Sequence, residues 1–284
     1  MRLKSKDIAM VSVFAALLVG VSRLPGIPIV GGSGKIEFTV ILAPIIGIVL
    51  GPWLGGLAVF LGDFISWIIP STTFFGLLML PCGLVAAMTS GALTRRKGIG
   101  NWKLAAAVLG VLIALWYLTP VGREVFFYPF LHLAALAVVI LFRGRVADLL
   151  RSNAKWKLTV GTALSSYAGI MANHMTGNII FIASVGWFIQ LKAIKDVVKA
   201  LGFLWLGSGL PSPKWLIEQY GTTDLGKIFV LMLPISVFER ALFTAIATLV
   251  GSGLILVLDR SGLVRIGGER VGVAAGPRGG KTGG

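Results

Sequence analysis

The chain has 284 residues, 56% of them hydrophobic and only 13% charged, with a net charge of +15. A water-soluble domain carries about twice that charged fraction, so this composition excludes an ordinary soluble enzyme and indicates an integral membrane protein. Two histidines and one cysteine lie far apart and no Walker-type phosphate loop is present, so neither a zinc site, a disulfide within the chain, ATP hydrolysis nor any other metal or cofactor is expected.

Apolar segments run at about 8–24, 38–50, 53–69, 74–93, 104–119, 125–142, 158–185 and 228–258. With the N-terminus placed in the cytoplasm, 17 of the 26 basic residues fall in inside stretches. That distribution follows the positive-inside rule and puts both termini in the cytoplasm of a cell-membrane protein. The basic excess is therefore a topology signal, helped by anionic lipid, and not a nucleic-acid footprint. The expected fold is all-α: a polytopic transmembrane helix bundle with a six-helix core and up to eight apolar segments. It spans residues 1–258, and a Gly-rich basic tail at 259–284 is expected to be disordered. No cleavable-signal pattern follows the first segment, which runs into Arg23-Leu24-Pro25-Gly26.

The first segment carries Ser12, Ala16 and Gly20 four residues apart, a small-residue stripe suited to close helix packing. A Gly- and Pro-rich outer loop with Lys35 and Glu37 follows. Gly51-Pro52 then breaks the next apolar run in two, because proline cannot continue the preceding helix without strain. The first piece is short enough to be either a full span or half of a re-entrant pair. Asp63 lies in the second piece, and a carboxylate at membrane depth is a site candidate by default. Thr94-Arg95-Arg96-Lys97 closes the fourth segment as a cytoplasmic stop. Arg123-Glu124 reads as a solvated pair at the outer edge, and His132 as a packed, hydrogen-bonded histidine.

The seventh segment is the organising stretch. It carries Asn173, His174 and Asn178 near its middle, and Tyr167, Met171, His174 and Asn178 share one helical stripe. Such groups either hydrogen-bond neighbouring helices or face a ligand, and the sequence leaves both open. The chain then stays outside, where Trp187, Leu191, Ile194, Val198 and Leu201 form an apolar face opposite Lys192, Lys195, Asp196 and Lys199. That pattern predicts an amphipathic helix in the outer interface. The last segment holds Glu239 and Arg240, which point about 100° apart on a helix and need not pair with each other. At 1.5 Å per residue, Asp63 sits about 10 Å, Asn178 about 12 Å, Glu239 about 16 Å and His174 about 18 Å below the outer ends of their segments. The set can therefore converge on a polar, ring-containing solute, with Tyr167 or Trp67 stacking on it.

The order of motifs over residues 5–97 resembles the substrate-binding S components of energy-coupling-factor transporters. A basic start leads into a helix with a small-residue stripe. IIGIVLGPWLGGLAVFLGDFI looks like that family's glycine-proline break and Gly-Asp helix, and GLVAAMTSGALTRR is similar to its glycine-rich helix closed by arginines. The resemblance implies a non-enzymatic subunit that captures a vitamin or related micronutrient from outside. It also implies docking onto a transmembrane T component coupled to ABC-type ATPases, with Ser12, Ala16 and Gly20 where the family's small-residue packing motif falls. Family members usually have six helices, fewer than the segments here. The rival expectations are an ion-coupled secondary transporter, with Asp63, His174 and Glu239 as a relay, and an intramembrane enzyme.

Overall fold

The structure is a computed structural model that describes residues 4–28, 35–36, 38–69, 73–187, 189–207, 214–221 and 223–261. Lys35 is described only as backbone, and Glu37, most of the loop after 207 and the tail from 262 lie outside the described residues. The fold is an all-α bundle. Its helices are α1 (Ser5–Ser22), α2 (Thr39–Ile68), α3 (Phe74–Ala92), α4 (Trp102–Leu118), α5 (Pro120–Glu124) and α6 (Phe130–Phe142), then α7 (Arg145–Leu150), α8 (Lys155–Ser184), α9 (Leu191–Gly207), α10 (Lys214–Tyr220) and α11 (Asp224–Arg260). A two-residue antiparallel ladder, β1 (Ile27–Pro28) with β2 (Lys35–Ile36), ties the loop after α1. Among the described residues α1, α2, α3 and α11 are long and apolar enough in length and composition to cross a membrane, α2 only when the two arms described below are counted together, and α4 and α6 are shorter apolar helices.

Helix α2 is two helices joined by a reversal. Gly51 has φ 80° and ψ 176°, a left-handed backbone that glycine adopts without the Cβ penalty, and Pro52 restarts the chain. Along a straight helix Gly47 and Gly55 would stand about 12 Å apart. Here a methyl group placed on Gly55 would lie 2.8 Å from the Gly47 Cα, so the two halves fold back onto each other. Helix α3 closes on the same point, where a methyl on Gly91 would lie 2.6 Å from the Gly47 carbonyl and from the Gly51 and Pro52 backbone. Ser90 adds a hydroxyl within 2.9 Å of the Pro44 carbonyl. The expected break is thus a hairpin whose arms pack backbone to backbone on α3.

Helix α8 runs through the middle of the bundle. Gly169 lets it approach α3 and the α2 hairpin, because a methyl there would meet the Ala86 carbonyl at 2.8 Å and Pro44 at 3.1 Å. Ser165, Ser166, Ala168, Ile170, Met171 and Ala172 are all buried around it. At one end of the bundle lie the Arg96–Asp148 ion pair and the Arg151 guanidinium, which donates to the Thr94 carbonyl at 3.2 Å. At the other end Ser22 bonds Ser66 at 3.0 Å.

At that second end two expected features acquire packing partners. Glu124 is not simply solvated: it accepts hydrogen bonds from the Thr223 backbone N–H at 2.7 Å and hydroxyl at 2.6 Å, just before α11 begins. The amphipathic helix α9 forms, but its apolar face packs on α11. Ile194, Leu201 and Trp205 are buried with Ile228 and Leu231, and the Trp205 indole donates to the Leu231 carbonyl at 3.1 Å. Trp187 and Leu191, expected on that face, are exposed, and Trp187 meets Phe74 edge-on at 5.4 Å.

Candidate functional site

The polar residues of α8 meet α6 and α11 in an aromatic nest. Helix α6 brings His132, whose ring stacks on His174 of α8 with centroids 5.3 Å apart and planes 20° apart. The turn before α6 brings Tyr128, stacked on Trp116 of α4 at 4.8 Å and held edge-on by Phe229 of α11 at 5.0 Å. The Tyr128 hydroxyl lies 3.4 Å from His174 Nε2 and receives the Asn178 amide at 3.4 Å. Ser236 of α11 lies beside the same hydroxyl.

Helix α11 supplies the charges. Arg240 Nη2 bonds Glu239 Oε2 at 3.1 Å, with both side chains nearly buried, at 10% and 15% exposure. These sequence neighbours therefore do pair, because long side chains bend toward each other where water is excluded. The guanidinium also lies 5.0 Å over the Phe243 ring and within electrostatic reach of Tyr128, His132 and His174. Thr244, one turn on, donates to the Arg240 carbonyl at 2.7 Å.

The cluster is incompletely satisfied. His132 Nδ1 and Nε2, His174 Nδ1 and Arg240 Nε are buried without a hydrogen-bond partner, the Pro129 carbonyl lying near His132 but outside good geometry. Each such group costs about 1–3 kcal/mol relative to a partnered one. Native proteins keep few of them, and each one kept calls for an explanation. His132 is thus packed as expected but not hydrogen-bonded as expected. The nest thus gathers a cation, a carboxylate, two imidazoles, an amide and a phenol among aromatic rings. Among the described residues no three His, Cys, Asp or Glu side chains converge on a point that suits a metal ion.

The remaining expected residues divide. His174, Asn178, Glu239 and Arg240 sit in or beside the nest. Tyr167 donates its hydroxyl to the Leu131 carbonyl at 2.7 Å and so serves as a strut between α8 and α6. Trp67 donates to the Thr73 carbonyl at 2.8 Å and braces the turn into α3. Asn173 is half-buried and takes no part in the hydrogen bonds of the nest. Asp63 abuts Gly83 of α3 beside the Cys82 thiol, and that thiol faces Gly177 of α8. Sequence reasoning missed Trp116, Tyr128 and Ser236. The one signal was the Phe126–Tyr128 aromatic run next to a buried-segment histidine. Ser12, Ala16 and Gly20 form an exposed strip on α1, and a methyl on Gly20 would touch nothing within 4 Å.

Comparison with known proteins gives one relative to set beside this geometry. The chain is 33% identical over 203 residues to an uncharacterized protein of Methanocaldococcus jannaschii, a match that covers 71% of this chain and 62% of the relative. The chain therefore spans less than two thirds of that relative's length. No protein-family model matches the chain, and no solved structure matches it.

Proposed function

We propose that this protein is a membrane-embedded substrate-capture subunit of the energy-coupling-factor kind, without enzymatic activity of its own. The observation that carries the reading is the nest around Tyr128, His132, His174 and Asn178. It gathers polar groups from separate helices inside an apolar bundle and leaves several polar atoms unpaired. Small-molecule sites between bundle helices have this composition: mostly apolar and aromatic walls with a few convergent polar groups. The solute is small, polar and vitamin-like, with Arg240 and Glu239 serving its charged or polar edge. Energy comes from partners, a transmembrane T component and ABC ATPases, which dock on the exposed Ser12, Ala16 and Gly20 strip. Both termini are cytoplasmic, and the solute reaches the nest from the outside of the cell membrane.

Ala16→Trp tests the docking half of the reading. It should block co-purification of ATPase partners while solute binding by the isolated protein stays unchanged; loss of both would make the strip internal packing.

A second reading is favoured by one observation, the stacked His132–His174 pair within reach of a Glu–Arg pair, which is the material of a proton relay. It makes the protein a self-sufficient ion-coupled transporter. Solute uptake by the purified protein alone in proteoliposomes, driven by a pH gradient, would establish that reading and end the first.

A further inference from the structure

At the end of the bundle that carries Arg96 and Asp148, an open cavity of about 580 Å³ lies between α4, α6 and α7. Its walls have two chemistries. Ile140, Leu141 and Phe142 form the apolar one, all three exposed on the last turn of α6. Arg96, Lys97, Arg143 and Arg145 form the other, with Asp148 as the single acid among the lining residues. Asp148 is taken up by Arg96. Among the described residues neither Lys97 nor Arg145 has a carboxylate partner. Like charges gathered this closely repel, so the arrangement is favourable when an anion sits among them.

The backbone is also set for this. Arg143 is the one described non-glycine residue with positive φ, at 43°, a conformation that costs a side-chain-bearing residue energy. The turn aims its guanidinium back over the Trp102 ring at 5.6 Å, with Nε donating to the Ile140 carbonyl at 3.0 Å. A guanidinium has five N–H donors in a fork that matches phosphate oxygens, and one is used here on the protein. Trp102 adds an aromatic ring of the kind enriched at headgroup level.

We infer that this cavity binds the phosphate headgroup of an anionic lipid, with the acyl chains running along Ile140, Leu141 and Phe142. The apolar wall selects lipid over a free phosphate: a soluble anion gains nothing from an exposed hydrophobic stripe that continues out of the cationic mouth. Basic pockets between transmembrane helices at the cytoplasmic boundary take such headgroups. This site is separate from the nest of Tyr128 and His174 and stands whether or not that nest binds solute.

The test is native mass spectrometry of the full chain released from mixed micelles of phosphatidylglycerol and phosphatidylcholine. The wild type should retain phosphatidylglycerol in preference to phosphatidylcholine. Arg143→Gln with Arg145→Gln should lower phosphatidylglycerol retention by about twentyfold, since each basic residue near an anionic headgroup contributes on the order of fivefold. Lys155→Gln with Lys157→Gln, basic but outside the cavity, should leave it unchanged. Lys97→Gln, an exposed single change, provides the same reading with a smaller drop if the double variant does not fold. Equal loss in both double variants, or undiminished retention in the cavity variants, would overturn the inference. So would complete displacement of the lipid by millimolar glycerol 3-phosphate, which would make the occupant a soluble phosphate.

Discussion

The rings of His132 and His174 lie stacked 5.3 Å apart, although 42 positions of sequence separate them and they come from different helices. Neither ring nitrogen of His132 is hydrogen-bonded by the protein in good geometry, and His174 uses only Nε2, toward Tyr128. A pair held for stability alone would be better served by carbon. His132→Phe keeps the stacking surface and removes two buried unpartnered nitrogens. It should therefore leave the melting temperature in detergent unchanged or raise it, while His132→Ala lowers it through a cavity costing about 3 kcal/mol. Thermal unfolding of both variants checks this. An equal fall for Phe and Ala would mean that the imidazole itself holds the bundle together.

Gly91 marks where α3 meets the α2 reversal, and the three nearest atoms a new methyl would strike there are all backbone. Gly91→Ala should cost about 2 kcal/mol or more, because neither chain can yield without breaking the Gly51-Pro52 turn. Gly110→Ala in α4, with nothing within 4 Å, should be neutral or stabilising by up to about 1 kcal/mol from helix propensity. Unfolding of the two variants in denaturant provides the comparison.

The Glu239–Arg240 pair is nearly buried, so removing one partner strands the other. Glu239→Gln or Arg240→Met alone should each destabilise by about 3 kcal/mol or more, and the double variant by clearly less than their sum. A double-mutant cycle reads the coupling. Simple additivity would show that the two side chains are independently solvated.

Glu124 ties the start of α11 to α5 through Thr223. Glu124→Ala should speed amide exchange across residues 223–227 and cost about 1 kcal/mol, the usual net contribution of a hydrogen bond. Exchange unchanged there would make the contact incidental.

The parts of this fold that were legible in the sequence are those with local causes. Gly51-Pro52 announces its break because proline chemistry acts on its immediate neighbours. The α8 stripe of His174 and Asn178 was readable because helical spacing fixes which residues share a face. What was missed depends on contacts far apart in sequence. Tyr128 sits in a short turn with no periodicity, and it matters because α4, α8 and α11 close around it. The pairing of Glu239 with Arg240 runs against their angular separation on the helix and goes with their near burial. Tyr167 was drawn into the expected site by its place on the stripe, yet it lies about two turns from His174 and the nearby Leu131 carbonyl makes it a strut. Depth arithmetic along a helix carries no azimuth, so it did not show that the Asp63 carboxylate faces Gly83 of α3.

The central claim is that the nest around Tyr128, His174 and Asn178 holds a solute. The most direct test is native mass spectrometry of the purified protein, with the melting temperature measured alongside, for the wild type, Asn178→Ala and His174→Ala. The account predicts a co-purifying small molecule on the wild type. It predicts retention reduced by about tenfold or more on Asn178→Ala, which still folds because alanine leaves the helix intact. Variants that keep the small molecule while losing thermal stability would contradict it and make the polar stripe of α8 structural.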